Sequence, residues 1–112
     1  MAKQLRELTF EFKAESPSAL PTEFLHYGVV GSGDMEVIME SQELAGAVCI
    51  TVRTPVSGFD EVWRRVLERF VNQTGMADAR IEINDNNATP VVVTLRLHQA
   101  LAEIAQGGAR HV

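Results

Sequence analysis

One cysteine, Cys49, is the chain's whole supply of thiol, so no disulfide can form within it. That excludes a secreted disulfide scaffold and makes the cytoplasm the expected compartment. Positive charge is also scarce. Ten Lys and Arg stand against 15 Asp and Glu, a formal net charge of −5. A nucleic-acid binder needs a basic footprint, so no nucleic-acid partner is expected. No apolar run approaches the ~20 residues that span a bilayer, so no membrane association is expected. Residues 1–12 lack the basic start and apolar run of a signal peptide. Internal repeats and low-complexity blocks are missing. So is any spaced ligand set: His26, His98 and His111 are scattered, with no His-Glu-x-x-His and no Cys-x-x-Cys. Neither a metal site nor a catalytic residue is expected. Cys49 has alternating neighbours and reads as a packed or flanking thiol, not a nucleophile.

What is present is an ordinary globular balance, 46% hydrophobic and 22% charged over 112 residues. This predicts one domain, residues 1–112, with a single core and no need of staples. Leu8, Phe10 and Phe12 alternate with polar residues, the period-2 mark of a half-buried strand. Residues 15–22, with two prolines and two serines, read as a surface loop. Two further strands are predicted, Phe24 to Val30 and Asp34 to Glu40. A short turn at residues 41–46 leads to a fourth, Ala47 to Arg53, which Pro55 ends. Ser57 is placed to cap a helix, with Asp60 completing a capping-box-like pair. Phe59, Val62, Trp63, Val66, Leu67 and Phe70 then share a helical face, and Gly75 is a stop signal. Ala79 to Asp85 is a fifth strand, followed by turn chemistry at Asn86-Asn87. Val91-Val92-Val93 favours strand by propensity. Thr89 as N-cap and Pro90 at the first helical position favour a helix instead, from Pro90 to about Gln106, ended by Gly107-Gly108. The predicted order is β-β-β-β-α-β-α. It implies an α+β two-layer sandwich, with a mixed sheet of four or five strands under two helices. The unit from the fourth strand through the first helix to the fifth strand fits a crossover between parallel strands.

The second and third strands are joined through Ser32-Gly33, a glycine-containing tight hairpin connection. Glycines flank Ser32, and Asp34 follows two residues on. Two readings stay open on spacing alone. Ser-Gly is ordinary turn composition, and an unshielded hydroxyl on a short turn is also one to which an enzyme can attach a group through a phosphodiester. Asp34 would then help orient that enzyme or its metal ion. Other chemistry fails on inspection. Gly28-x-x-Gly31-x-Gly33 precedes a strand, not a helix, and so lacks the helix N-terminus that holds a pyrophosphate. Ser32 has Val30 and Asp34 where a nucleophile elbow needs glycines. Arg64, Arg65 and Arg69, with Trp63 nearby, offer a docking patch or, as the favoured reading, a solvated helix face paired with Glu61 and Glu68.

The stretch Val30-Gly31-Ser32-Gly33-Asp34-Met35-Glu36-Val37 resembles the signature of the acyl-carrier (delta) subunit of malonate decarboxylase. A second stretch resembles the same family: Ile81-Glu82-Ile83-Asn84-Asp85-Asn86-Asn87-Ala88-Thr89-Pro90, continuing through Leu95-Arg96-Leu97-His98-Gln99-Ala100-Leu101. Asn86-Asn87 departs from the family's form, where a glycine is usual near Asn87. Asparagine also tolerates left-handed turns. The resemblance implies that Ser32 carries 2′-(5″-phosphoribosyl)-3′-dephospho-CoA, whose thiol holds acetyl and malonyl groups. The implied partners are an acyl transferase subunit, the decarboxylase subunits, a malonyl transferase and the prosthetic-group transferase. The chain would be a non-catalytic carrier in the conversion of malonate to acetate and CO2. The carrier of a citrate-lyase-like complex is a more distant look-alike. An unmodified interaction module is the third reading.

Overall fold

Alternating apolar residues build a sheet, and two amphipathic helices cover it. The computed structural model describes residues 5–15, 27–31 and 35–105. Its elements are β1 (Arg6–Phe12), β2 (Tyr27–Gly31), β3 (Met35–Ser41), β4 (Val48–Thr54), α1 (Asp60–Thr74), β5 (Ala79–Asp85) and α2 (Pro90–Ala105). The predicted order of elements is met. The loop at residues 16–22, the start of the second strand at residues 24–26 and the glycine stop after α2 lie outside the described residues.

The five strands lie in the order β1-β4-β5-β3-β2. β4 and β5 pair in parallel, and α1 is the crossover between them. The other three pairs are antiparallel, so the sheet is mixed. Met35, Val37 and Met39 of β3, Val48, Ile50 and Val52 of β4, and Ile81 and Ile83 of β5 face inward. They meet Trp63, Leu67, Phe70 and Val71 of α1 and Val93, Leu97 and Ala100 of α2 in one core. The alternate strand residues carry charge on the opposite face. There Arg53 bonds Glu7 at 3.0 Å, and Asn84 bonds Glu36 at 2.9 Å.

The helix ends show which local signals hold. Gly75 closes α1 in a left-handed conformation, φ 68°, and its N–H bonds the Val71 carbonyl. Thr89 caps α2, its hydroxyl oxygen accepting from Val92 N–H at 3.3 Å. The capping box at Ser57 is absent. α1 starts one residue after Phe59, which makes no side-chain cap bond. Asp60 instead takes both ends of the Arg6 guanidinium, at 2.9 and 3.3 Å. The pairing of β1 with β4 brings Arg6 to that helix end. A bidentate arginine then satisfies the carboxylate in place of the local serine. Arg6, chiefly through that hydrogen bond, holds the Asp60 carboxyl below its usual range.

Asp78 locks the turn before β4. It sits at φ 55°, and its Oδ1 accepts from the N–H groups of Leu44 and Gly46 at 2.9 and 2.8 Å. Those bonds, Leu44's first, hold its carboxyl below the usual range. The unfolded chain therefore binds more protons than the native one in that window. The stability Asp78 contributes is complete above about pH 3.9, the ordinary aspartate value. It is lost as pH falls through the lowered native value. Asp78→Asn is expected to flatten part of the acid limb of a Tm-against-pH curve. An unchanged limb would refute the assignment.

Candidate functional site

β2 and β3 form the expected hairpin, with paired partners running from Tyr27↔Glu40 to Gly31↔Glu36. Residues 32–35 link that last pair, and Met35 already pairs onward with Asp85 of β5. Both strands run one residue past their expected ends, β2 to Gly31 and β3 to Ser41. Gly31 is paired in β2, and β3 as described starts at Met35. Backbone pairing needs only an N–H and a carbonyl, so a glycine at a strand end can extend the ladder into a predicted turn. Ser32, Gly33 and Asp34 lie outside the described residues, as do His26 and His111.

Strand polarity gathers several features at the hairpin's end of the sheet. The parallel strands β4 and β5 finish there, at Thr54 and Asp85. β3 starts there and β2 finishes there. Asp85 is buried, 6% exposed, at a core-facing position. Its Oδ2 accepts from the Thr54 hydroxyl at 2.7 Å and its Oδ1 from Ala88 N–H at 2.8 Å. Thr54 Oγ1 accepts in turn from Val56 N–H at 3.1 Å. The Asp85 carboxylate thus joins the two strand ends, and each residue of the pair holds the loop that follows its own strand. Asn87, in the second loop, takes φ 76°, the left-handed turn that asparagine tolerates.

Between those loops and the starts of both helices is a cavity of about 270 Å³. Phe59, Trp63, Ala88, Pro90 and Val93 are among its lining residues, and Asp85 reaches it. Phe59 was expected on the buried face of α1. It is 49% exposed, because it precedes the helix and edges this opening. Sequence reading missed Asp85. The signal was there: Ala79, Ile81, Ile83 and Asp85 share one period-2 face, and an acid in a core register needs partners.

Asp85→Ala is expected to destabilise the fold by about 1–3 kcal/mol, since it strips the acceptor from two donors. Asp85→Asn should cost less, because its amide oxygen still accepts from Ala88 N–H. Urea unfolding measures both, and an Ala variant as stable as the parent would remove the tie from the account.

His98, Cys49 and the α1 arginines have structural neighbours. His98 packs edge-on against Phe70, with ring centroids 5.0 Å apart and planes at 79°. Cys49 is half-buried, paired with Glu11 and Arg80 across β1 and β5. Arg64 and Arg65 lie 4.0 and 3.8 Å from Glu61 on an exposed helix face. Among the described residues, no three His, Cys, Asp or Glu side chains gather to hold a metal ion, and no helix is long and apolar enough to cross a membrane.

Known proteins are similar to this chain in sequence and fold. The family model of the malonate decarboxylase delta subunit (MdcD) matches residues 23–104. The malonate decarboxylase acyl carrier protein of Malonomonas rubra is 55% identical, over 92% of each chain. That of Stenotrophomonas maltophilia strain R551-3 is 36% identical, over 93% of this chain and 98% of its own. A chain in the crystal structure of a Pseudomonas malonate decarboxylase hetero-tetramer in complex with malonate superposes with a TM-score of 0.71. It is 35% identical, covering 88% of this chain and 98% of that one. With sequence and fold similar over most of its length, the chain belongs to the malonate decarboxylase acyl carrier (delta subunit) family.

Proposed function

We propose that Ser32 is the attachment point for 2′-(5″-phosphoribosyl)-3′-dephospho-CoA, and that the chain carries acyl groups between the other subunits of a malonate decarboxylase. One observation carries the reading. The β2–β3 ladder closes at Gly31↔Glu36, and Ser32, next in the chain, is the only hydroxyl residue among residues 32–35. A phosphodiester needs one hydroxyl oxygen free of secondary-structure duty. The link between two paired strands is where a modifying enzyme reaches such an oxygen without unfolding a sheet. The group, when bound, supplies a thiol that holds acetyl or malonyl as a thioester, so that malonate is exchanged for acetate and then loses CO2.

The chain's own residues present and position. β2 is an edge strand, so the hairpin stands at the margin of the sheet. Pairing of β3 with β5 along its whole length anchors the hairpin in the core. The polar groups buried beside it, Thr54 and Asp85, tie loops together, which fits a chain that makes and breaks no substrate bonds itself. An acyl transferase subunit, decarboxylase subunits, a malonyl transferase and the prosthetic-group transferase are the partners this role requires. The cytoplasm, where Cys49 stays reduced, is the compartment.

Intact-mass measurement of protein from its own host tests the reading. The parent chain should carry the mass of the group, and Ser32→Ala should not. An unmodified Ser32 in an active complex would overturn it.

A further inference from the structure

A cavity stands at the hairpin's end of the sheet. Phe59, Trp63, Ala88, Pro90 and Val93 line a space of about 270 Å³ that the core leaves unfilled. Its polar neighbours are already engaged. Both Asp85 oxygens hold donors, and the Thr89 hydroxyl oxygen holds Val92 N–H. An entering group therefore meets mostly hydrocarbon and an indole, with Asn87 as the one further polar residue of the lining. Among the described residues lining it, none is cationic. Pockets lined mainly by apolar side chains take small apolar groups.

Its position is set by register. Gly31 pairs with Glu36, and Glu36 pairs with Asn84, the neighbour of Asp85. The end of β2 is thus two strand spacings, about 10 Å, from the strand that reaches the cavity. A group tethered at the next residue samples that cavity at an effective concentration of roughly millimolar, with no strong contact needed.

We propose that this cavity parks the thiol end of the Ser32 arm between deliveries, and that it accepts the acetylated end and turns away the malonylated one. This rests on the carrier role proposed above. Acetyl is small and uncharged. Malonyl ends in a carboxylate, which would lose its water beside Asp85 with no cation to meet it. The free state of the arm is then favoured only when it holds the group that the decarboxylase must receive. A preference between the two ends requires this difference in affinity.

The test uses the full chain from its own host, with modification verified by intact mass and the thiol then acetylated or malonylated. Trp63 is the sole tryptophan, so its emission reports the cavity directly. Acetyl loading should change Trp63 emission relative to Ser32→Ala, and malonyl loading should not. Hydroxylamine cleavage gives a second readout, each loaded chain being compared with the same thioester on free dephospho-CoA. A parked fraction of about four-fifths slows acetyl cleavage roughly fivefold, since only the free arm reacts. Malonyl cleavage should match its free counterpart. Ala88→Phe fills the space and should restore the free rate for acetyl. Equal acetyl and free rates with unchanged Trp63 emission in modified protein would overturn the parking role and leave the carrier role standing. Missing mass on Ser32 would overturn both.

Discussion

Ser32→Ala is expected to lower malonate-dependent CO2 release by a reconstituted complex to background, while leaving the fold intact. Alanine removes the one oxygen among residues 32–35 that can accept a phosphodiester, so no arm is attached. Untethered thioester must then reach each partner by diffusion. Tethering raises apparent affinity by roughly 10²–10⁴-fold, and a loss of at least that order should follow. Stability should hold. The hairpin is fixed by the pairs from Tyr27↔Glu40 to Gly31↔Glu36 and by β3 against β5, and none of these uses the Ser32 side chain. Unfolding curves that coincide for parent and variant, beside a collapse in turnover, would separate carriage from folding. Turnover near the parent's level would end the proposal that Ser32 carries the arm.

Much of this architecture is legible in local sequence, for a physical reason. Ile81 and Ile83 on one side of a strand, or Leu67 and Phe70 on one side of a helix, report burial through periods set by backbone geometry. Thr89-Pro90 overrides the strand propensity of Val91-Val92-Val93, because capping chemistry is local too. What local sequence does not carry is long-range pairing. β1 lies beside β4, more than thirty residues on, and nothing in Leu8-Thr9-Phe10 names that neighbour. The false capping box follows from the same gap. Asp60 meets Arg6 only because the sheet brings β1 to the start of α1. The candidate site divides in the same way. Ser32 is singled out only by the family resemblance of its stretch, since Ser-Gly on spacing alone is ordinary turn composition. The cavity is assembled from the β4–α1 loop, α1, the end of β5, the β5–α2 loop and α2, and so becomes visible only in three dimensions.

Phe70→Ala should be the most damaging single truncation in the core. Phe70 is 1% exposed and is among the largest fully buried side chains. It packs on α1 against the edge of His98 from α2, so its ring helps hold the two helices together. Removing a buried phenyl ring loses its transfer free energy and leaves a void that stiff neighbours only partly close. The expected cost is about 3–5 kcal/mol. Domains of this kind have about 5–15 kcal/mol in total, so the variant would stand near the edge of folding. At roughly 4–8 °C for each kcal/mol, its Tm should fall by more than about 10 °C. Phe59→Ala is the matched control. The same chemistry is deleted from a residue 49% exposed at the rim of the cavity, so its cost should be under about 1 kcal/mol. Thermal melts of the two variants read this contrast directly, and comparable losses would refute the division between core and rim. A preserved Tm in Phe59→Ala also has a use, because that variant opens the cavity wall without loosening α1, which holds Trp63 in place.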